Sequence, residues 1–346
     1  MINGVPRILL IRLSAIGDVV RVLPALHTLR DRYPDAQIDF AVEPKSSEVL
    51  EGHPAIDQVL VFGRTDQAVE GTKAFVEFCK DIRQNRYDIA IDFHGILKSG
   101  LILKATGAKQ RYAFAPPRAQ EMSHLFAKTK VKLITDRMNR IDENLELVKA
   151  LDCKKANLDV VIHIPDEVQD DIDAWMEDTF HGGKHHILIH APVDRVEKQW
   201  PLKYYAMLAD ELLADGRYEV TFTWGPGQKA VVDEVVSMMD RMPVVAPETE
   251  SLKHFAAMVL QADLYFGGDT GPMHIASAMG TPVVAVFGGT DPNMHAPLRQ
   301  PSEVLYAGPA RPAKAIDLEN AATYLQEITP KMAYEACIRM LHSRPE

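Results

Sequence analysis

The segment GGDTGPMHIASAMGTPVVAVFGGTDP, residues 267–292, has the highest density of residues that could take part in binding or catalysis. Four such residues fall within six positions, directly after a short apolar run: Asp269, Thr270, Gly271 and His274. Pro272 is typical of the first turn of a helix, and Gly280 of a helix end. Free amides and the positive end of a helix dipole attract anions. The pattern predicts an anion-binding turn suited to a nucleotide sugar; the alternative is a structural turn with a core histidine.

Asp18 is a second candidate, because it follows Gly17 shortly after the apolar run 7–12. A carboxylate between a strand end and a helix start, where the helix dipole favours its ionised form, can act as a general base. The alternative is a structural N-cap aspartate. This loop lacks the G-x-G-x-x-G pattern of dinucleotide-binding folds, so a nicotinamide cofactor is disfavoured, although Asp39 could mimic the ribose-binding acid.

Short apolar runs alternate with helical patterns along the chain, which indicates parallel sheets covered on both faces. The predicted strands are 7–12, 37–42, 58–62, 88–93 and 111–115, then 186–191, 218–224, 244–246, 263–268 and 281–289. The predicted helices include 19–33, 72–86, 140–151, 166–180, 201–216, 228–240, 251–262 and 328–344.

This alternation predicts an α/β protein with two doubly wound, Rossmann-like domains. The expected domains are residues 1–165 and 166–327, and the expected ligand site is the cleft between them. A C-terminal helix within 328–346 is expected to pack back across the junction.

Charge and composition limit the classes of partner. The chain has 38 Lys and Arg against 48 Asp and Glu, and its net charge of −10 disfavours a general affinity for nucleic acid. Its three cysteines are far apart in sequence, so no disulfide framework is predicted and a reducing cytosol fits best. Neither a signal peptide nor a membrane-spanning run is indicated. His181, His185, His186 and His190 cluster locally, but without the spacing of a zinc site.

Four segments together carry a family resemblance: RLSAIGDVVRVLPAL near the N-terminus, DFHGILKSG at 92–100, EKQWP at 197–201, and 267–292. They resemble the ADP-heptose:lipopolysaccharide heptosyltransferases, glycosyltransferase family 9. GILKSG and HLFAK (124–128) look closer to the heptosyltransferase I branch. The resemblance runs through nearly the whole chain. It implies the GT-B architecture, an acceptor-binding first domain, a donor-binding second domain, and inverting transfer without an essential metal.

The resemblance also implies residue roles. Asp18 matches the family's proposed catalytic base, and Lys198 matches its diphosphate-binding lysine, a suitable point charge for a leaving phosphate. The donor-binding D-T-G-x-x-H motif is matched by Asp269, Thr270, Gly271 and His274. A basic patch for an anionic acceptor would come from Lys98, with Arg118 and Lys128 further on.

Three features depart from the family's pattern and bear on the donor. Pro192 and Val193 stand where two hydroxyl residues often contact the phosphates. The loop 191–198 looks one residue longer than usual, and Gln228 lies near the position of an acidic ribose contact.

The sequence therefore predicts an inverting transferase that moves heptose from ADP-heptose to the Kdo residue of an inner-core lipopolysaccharide acceptor such as Kdo-lipid A. We expect it in the cytoplasm, in peripheral contact with the inner membrane, without a cofactor, metal or nucleic-acid partner. The alternatives are a nucleotide-sugar epimerase on the same scaffold, a family member with another donor or acceptor, and a non-catalytic sugar-binding protein.

Overall fold

The computed structural model describes residues 5–63, 68–180, 182–297, 301–310 and 316–343. The chain divides into two compact units, Met1–His163 and Ile164–Glu346. Within the described residues, each unit has one six-stranded sheet in which all paired strands are parallel. The α/β class and the two doubly wound sheets are therefore confirmed.

The first unit alternates strands and helices along the chain. Its strands are β1 (Arg7–Ile11), β2 (Gln37–Val42), β3 (Gln58–Val61), β4 (Ile89–Asp92), β5 (Gln110–Phe114) and β6 (Thr129–Val131). Its helices are α1 (Ile16–Val20), α2 (Leu23–Arg32), α3 (Ala68–Gln84), α4 (Leu97–Ala105) and α5 (Arg140–Lys149). Short 3-10 helices lie at Pro44–Ser46 and Ser123–Phe126.

The strand order in this unit is β3–β2–β1–β4–β5–β6. The direction of winding reverses between β1 and β4, which pair directly. In open parallel sheets, ligands bind outside the carboxyl ends of the strands at such a reversal. Loops that follow β1 and β4 are therefore the expected place for functional side chains.

The second unit repeats this design. Its strands are β7 (His185–His190), β8 (Tyr218–Phe222), β9 (Val244–Val245), β10 (Leu264–Gly268), β11 (Val283–Phe287) and β12 (Ser302–Tyr306). Its helices are α6 (Asp166–Thr179), α7 (Leu202–Asp215), α8 (Lys229–Ser237), α9 (Leu252–Gln261), α10 (Gly271–Met279), α11 (Pro292–His295), α12 (Ala321–Glu327) and α13 (Pro330–His342). A 3-10 helix lies at Val196–Lys198.

The strand order here is β12–β11–β10–β7–β8–β9, so the reversal falls between β7 and β10. Next to it, Trp200 is fully buried among Tyr205 and Phe266, and its indole Nε1 donates to the Ile328 carbonyl at 2.9 Å. This aromatic core fixes the chain directly after the 3-10 helix. The last helix, α13, packs against α7 and the strands β10 to β12; its predicted packing across the junction stays a prediction.

The predicted helix 19–33 is wrong in one respect, because the structure divides it into α1 and α2. Pro24 lies in the first turn of α2, and a proline has no amide to continue the hydrogen bonding of a preceding helix. Two strands were missed, β6 and β12. Both are edge strands whose residues are mostly half-buried or exposed, so they lack the apolar run of a central strand.

Candidate active site

Asp18 lies in the first turn of α1, close after the carboxyl end of β1. The N-cap of α1 is Ala15, so the N-cap interpretation of Asp18 is wrong. Its carboxylate forms ion pairs with Arg12 and with Arg21, the latter at 2.5 Å. Both arginine side chains are buried, whereas Asp18 keeps 29% of its side-chain surface exposed. The carboxylate is thus fixed by two cations and still accessible to a ligand.

Arg12 also links this loop to the end of β4, because its Nη1 donates to the Phe93 carbonyl at 3.0 Å. Burial lowers the pKa of Arg12, an effect that the neighbouring Asp18 carboxylate opposes. The ion pair therefore compensates in part for burying the guanidinium.

The loop after β4 is shaped by the buried carboxylate of Asp92. This carboxylate accepts hydrogen bonds from the amides of His94 (2.9 Å) and Gly95 (3.0 Å) and from the Ser99 hydroxyl (2.9 Å). Gly95 has φ +79°, a conformation that glycine adopts at low cost. The first part of the DFHGILKSG segment thus builds a rigid turn that presents His94.

Sequence reasoning did not select His94, although the structure brings it into the electrostatic environment of Arg12 and Asp18. Its Nδ1 accepts from the Leu13 amide at 3.3 Å. Burial, and then the positive charge of Arg12, lower the pKa of His94 to about 3. The neutral ring therefore carries its proton on Nε2, which makes no hydrogen bond to another described residue. The sequence signal for His94 is its position as a polar residue shortly after β4, one of the two strands at the sheet reversal.

The two cations predicted to bind the acceptor also act on His94, so the structure brings them to the same region. The Lys98 ammonium lies 3.6 Å from the buried Glu43 carboxylate. Arg118 donates to the buried Glu143 carboxylate at 2.8 Å and to the His94 carbonyl at 3.2 Å. Both cations are thus held in place by ion pairs with buried glutamates of the same unit.

In the second unit, Lys198 and Asp269 meet across the sheet reversal. Lys198 ends the 3-10 helix after β7, and Asp269 directly follows β10. The Lys198 Nζ lies 2.5 Å from the Asp269 carboxylate and 3.3 Å from its carbonyl oxygen. Asp269 is only 8% exposed, and Lys198 is 20% exposed. Burial disfavours ionisation of Asp269, but Lys198, His295 and His274 outweigh it and lower the pKa to about 2.

The rest of the predicted anion turn follows Asp269. Thr270 is the N-cap residue of α10, Gly271 is its first residue, and Gly280 ends it with φ +84°. The Thr270 hydroxyl lies 3.4 Å from the Gly268 carbonyl oxygen, and the Thr270 side chain does not cap α10. His274 is buried on the second turn of α10 and acts electrostatically on Asp269. The strand–turn–helix predicted here is confirmed.

Gly268, the last residue of β10, directly precedes this turn. A Cβ at Gly268 would lie 3.5 Å from Val193 and 3.9 Å from the Lys198 carbonyl oxygen, both ordinary contacts. Val193, one of the departures from the family's pattern, therefore packs beside the turn that carries Asp269. The side-chain oxygen of Gln228 accepts a hydrogen bond from the Gly225 amide at 3.0 Å and so stabilises the turn 225–228.

The remaining polar candidates have structural partners. Asp39 is buried in β2 and accepts from the Tyr87 hydroxyl at 2.6 Å, so it is not placed as a ribose contact. His186 and His190 bond Thr221 and Thr223, respectively, and His181 lies outside the described residues. In the part of the chain that the structure describes, no group of three His, Cys, Asp or Glu residues could hold a metal ion.

This chain is similar to known proteins in both sequence and fold. The sequence profile of glycosyltransferase family 9 (heptosyltransferase) matches residues 75–322. Lipopolysaccharide heptosyltransferase 3 of Escherichia coli is 24% identical over 285 residues, which cover 80% of this chain and 81% of that protein.

Two solved structures have the same fold. A glycosyl transferase family 9 protein of Veillonella parvula superposes with a TM-score of 0.88 at 23% identity over 99% of both chains. The E. coli heptosyltransferase WaaC with ADP gives 0.75 at 21% identity, covering 96% of this chain and 99% of that one. These likenesses confirm the GT-B class of fold. Since the family profile spans well over half of its length, the chain belongs to glycosyltransferase family 9, the heptosyltransferases.

Proposed function

We propose that this glycosyltransferase moves heptose from ADP-heptose to a Kdo residue of the lipopolysaccharide inner core, with inversion at the anomeric carbon. The acceptor hydroxyl attacks the anomeric carbon from the face opposite ADP, and Asp18 takes its proton. The bond between that carbon and the diphosphate oxygen breaks in the same step, so a single displacement inverts the configuration. ADP leaves with the bonding electron pair.

The observation that carries the proposal is that each unit has charged side chains at the reversal of its own sheet. The first unit offers a carboxylate, Asp18, that is fixed by two guanidinium groups and partly exposed. The second offers an ammonium, Lys198, beside the first turn of α10. A proton acceptor and an anion site are the two components that transfer from a nucleotide diphosphate requires.

Several features support the donor side. Lys198 is already held next to the start of α10 by Asp269, so little side-chain entropy is lost when it contacts a phosphate. The free amides and dipole of α10 add positive potential where charge develops on the departing diphosphate. A relative of the same fold has been solved with ADP. These groups supply charge neutralisation without a metal, so we propose that transfer needs none.

On the acceptor side, His94 extends the predicted set of residues. Its neutral ring presents a donor on Nε2, and an acceptor rich in hydroxyl and carboxylate oxygens offers partners for it. Lys98 and Arg118 supply positive charge to the same region. The branch of the family, the exact donor and the acceptor position stay predictions.

The decisive experiment is a turnover assay with purified protein, ADP-heptose and Kdo-bearing lipid A, read by the mass increase of the acceptor and the anomeric configuration of the product. Two controls separate the alternatives. ADP-heptose alone would be converted by an epimerase, which needs no acceptor. Binding of ADP-heptose without any turnover would indicate a non-catalytic protein. Either result would overturn the proposal.

A further inference from the structure

The first unit has an exposed apolar surface where α4 packs against the 3-10 helix Ser123–Phe126. We call it the α4 surface, and its members are Leu97, Leu101, Met122 and Leu125. Between 36% and 66% of each residue is exposed. Leu97 and Leu101 are four residues apart, so they lie on one face of α4. Large apolar side chains that are exposed close together are typical of interaction sites.

Contacts between the two elements make this surface continuous. A Cβ at Gly100 would come within 2.7 Å of the Phe126 ring and 3.0 Å of the Ser123 carbonyl, so α4 and the 3-10 helix touch closely. The Leu97 amide donates to the Glu121 carboxylate at 2.9 Å, which brings the start of α4 next to Met122.

The backbone in front of the 3-10 helix has an unusual conformation. Glu121 and Met122 have φ values of +49° and +57°, a backbone conformation that residues other than glycine rarely adopt. The result is a methionine that is 66% exposed rather than packed in the core. Backbone conformations that cost free energy in this way are typical of segments that bind a ligand or partner.

The chain segment that carries the α4 surface is rich in positive charge. Residues 96–134 contain eight Lys and Arg against one acidic residue, a net charge of +7 in a chain whose net charge is −10. Lys104, Lys128, Lys130 and Lys132 are all exposed, and the Lys104 ammonium lies 5.7 Å from the centre of the Phe126 ring. Lys130 lies in the middle of the edge strand β6, and residues 128 and 132 directly flank that strand.

We infer that the α4 surface binds the face of an anionic lipid bilayer. Its leucines and methionine would enter the boundary between headgroups and acyl chains, and the lysines would contact anionic headgroups. In the described part of the chain no helix is long and apolar enough to cross a membrane, so such contact would be made from one side.

This inference rests on the proposed function, because it explains how a lipid-anchored acceptor would reach the enzyme. Leu97 is adjacent in sequence to Lys98, which acts electrostatically on His94. The start of α4 therefore joins the α4 surface to the acceptor residues. An acceptor could keep its acyl chains in the bilayer while its sugar lies near Asp18.

Vesicle flotation tests the inference. The full-length protein is mixed with vesicles of phosphatidylethanolamine and phosphatidylglycerol, and separately with neutral phosphatidylcholine vesicles. One variant carries Lys104→Glu, Lys130→Glu and Lys132→Glu, and another carries Leu101→Ser and Leu125→Ser. The matched controls alter exposed residues of the second unit: Lys203→Glu with Lys229→Glu and Lys331→Glu, and Met207→Ser with Leu260→Ser.

We expect wild-type protein to float with the anionic vesicles only. The charge variant should lose about 10²-fold in partition and the leucine variant about tenfold or more, whereas the two controls should match wild type. Transfer to a water-soluble Kdo acceptor should be unchanged in both variants, which shows that they fold, and transfer to vesicle-embedded acceptor should fall.

Two results would overturn the inference: equal flotation of wild type with neutral and anionic vesicles, or flotation of both α4-surface variants at the wild-type level. The proposed function fails separately. If wild-type protein floats as expected but transfers no heptose even to the water-soluble acceptor, the α4 surface is supported and the assigned reaction is wrong.

Discussion

Replacing Lys198 by methionine would test whether the Lys198–Asp269 pair is an organised part of the donor side. Methionine keeps most of the aliphatic length and removes only the charge. The Asp269 carboxylate, 8% exposed, then loses the ammonium 2.5 Å away. Lys229→Met is the matched control, because its Nζ also lies 2.5 Å from a carboxylate, that of Asp233, but both side chains are more than half exposed.

The magnitude follows from the pKa of Asp269, which is about 2 in the folded protein against an ordinary 3.8. That difference corresponds to about 2.5 kcal/mol of stability. Because the folded-state pKa is lowered, this stabilisation is fully present above about pH 4 and is lost as the pH falls through about 2. Without Lys198, the largest effect that opposes burial is removed, so the pKa of Asp269 rises. We therefore expect a loss of about 2 kcal/mol or more at pH 7, against about 0.5 kcal/mol or less for Lys229→Met.

The assay is urea unfolding followed by tryptophan fluorescence at pH 7, 5, 4 and 3. All three tryptophans, Trp175, Trp200 and Trp224, lie in the second unit, so the signal reports the unit that contains the pair. The difference between wild type and Lys198→Met should shrink as the pH falls. A loss equal to that of Lys229→Met, or a difference that does not change with pH, would show that Lys198 does not stabilise the ionised Asp269.

The remaining predictions concern binding and turnover. Lys198→Met should weaken ADP binding, measured by calorimetry, and slow transfer as well, since we propose that the ammonium contacts phosphate before and during the reaction; unchanged affinity would mean that Lys198 does not contact the donor. Asp18→Asn should lower turnover by about 10²-fold or more with ADP affinity unchanged; Asp57→Asn, which breaks another arginine pair of the first unit, is the control, and near wild-type turnover would exclude Asp18 as the base. His94→Ala should lower transfer about tenfold, whereas His94→Gln, which keeps a donor and an acceptor, should retain most of it; equal losses would assign His94 a packing role. Activity should persist in excess EDTA, and abolition with rescue by magnesium would make Asp269 a candidate metal ligand.

Much of the fold could be predicted because buried parallel strands have a distinct composition. Strands such as Val283–Phe287, buried at every position, are uninterrupted apolar runs. Thr129–Val131 could not be found in this way, since an edge strand needs only one paired side and carries lysine and threonine. The break at Arg21 and Val22 was missed because the apolar pattern continues through it, and only Pro24 indicates that a new helix begins.

The candidate site was predictable where its residues share one loop, as Asp269 and His274 do. The ion-pair partners of the other candidate residues could not be predicted from the sequence. The sequence predicts Lys98 and Arg118 only as cations of an acceptor-binding patch. In the structure each contacts a buried glutamate that is distant in sequence, Glu43 and Glu143, respectively. Nothing in a local window identifies such a partner, because the contact depends on how the loops pack after the strands have been placed.

His94 and Lys198 occupy comparable positions at the reversals of the two sheets. Each follows a strand that lies at the reversal of its sheet, β4 for His94 and β7 for Lys198, and each meets residues from the loop after the neighbouring strand. In the second unit the two partners are 71 residues apart in sequence but 2.5 Å apart in space. Sequence spacing alone cannot predict that pair. The strand order can, because β7 and β10 are neighbours and the loops that follow them must therefore be adjacent. Val193 lies in one of these loops and packs beside the other, so its replacement by a hydroxyl residue would change the donor side without altering either strand.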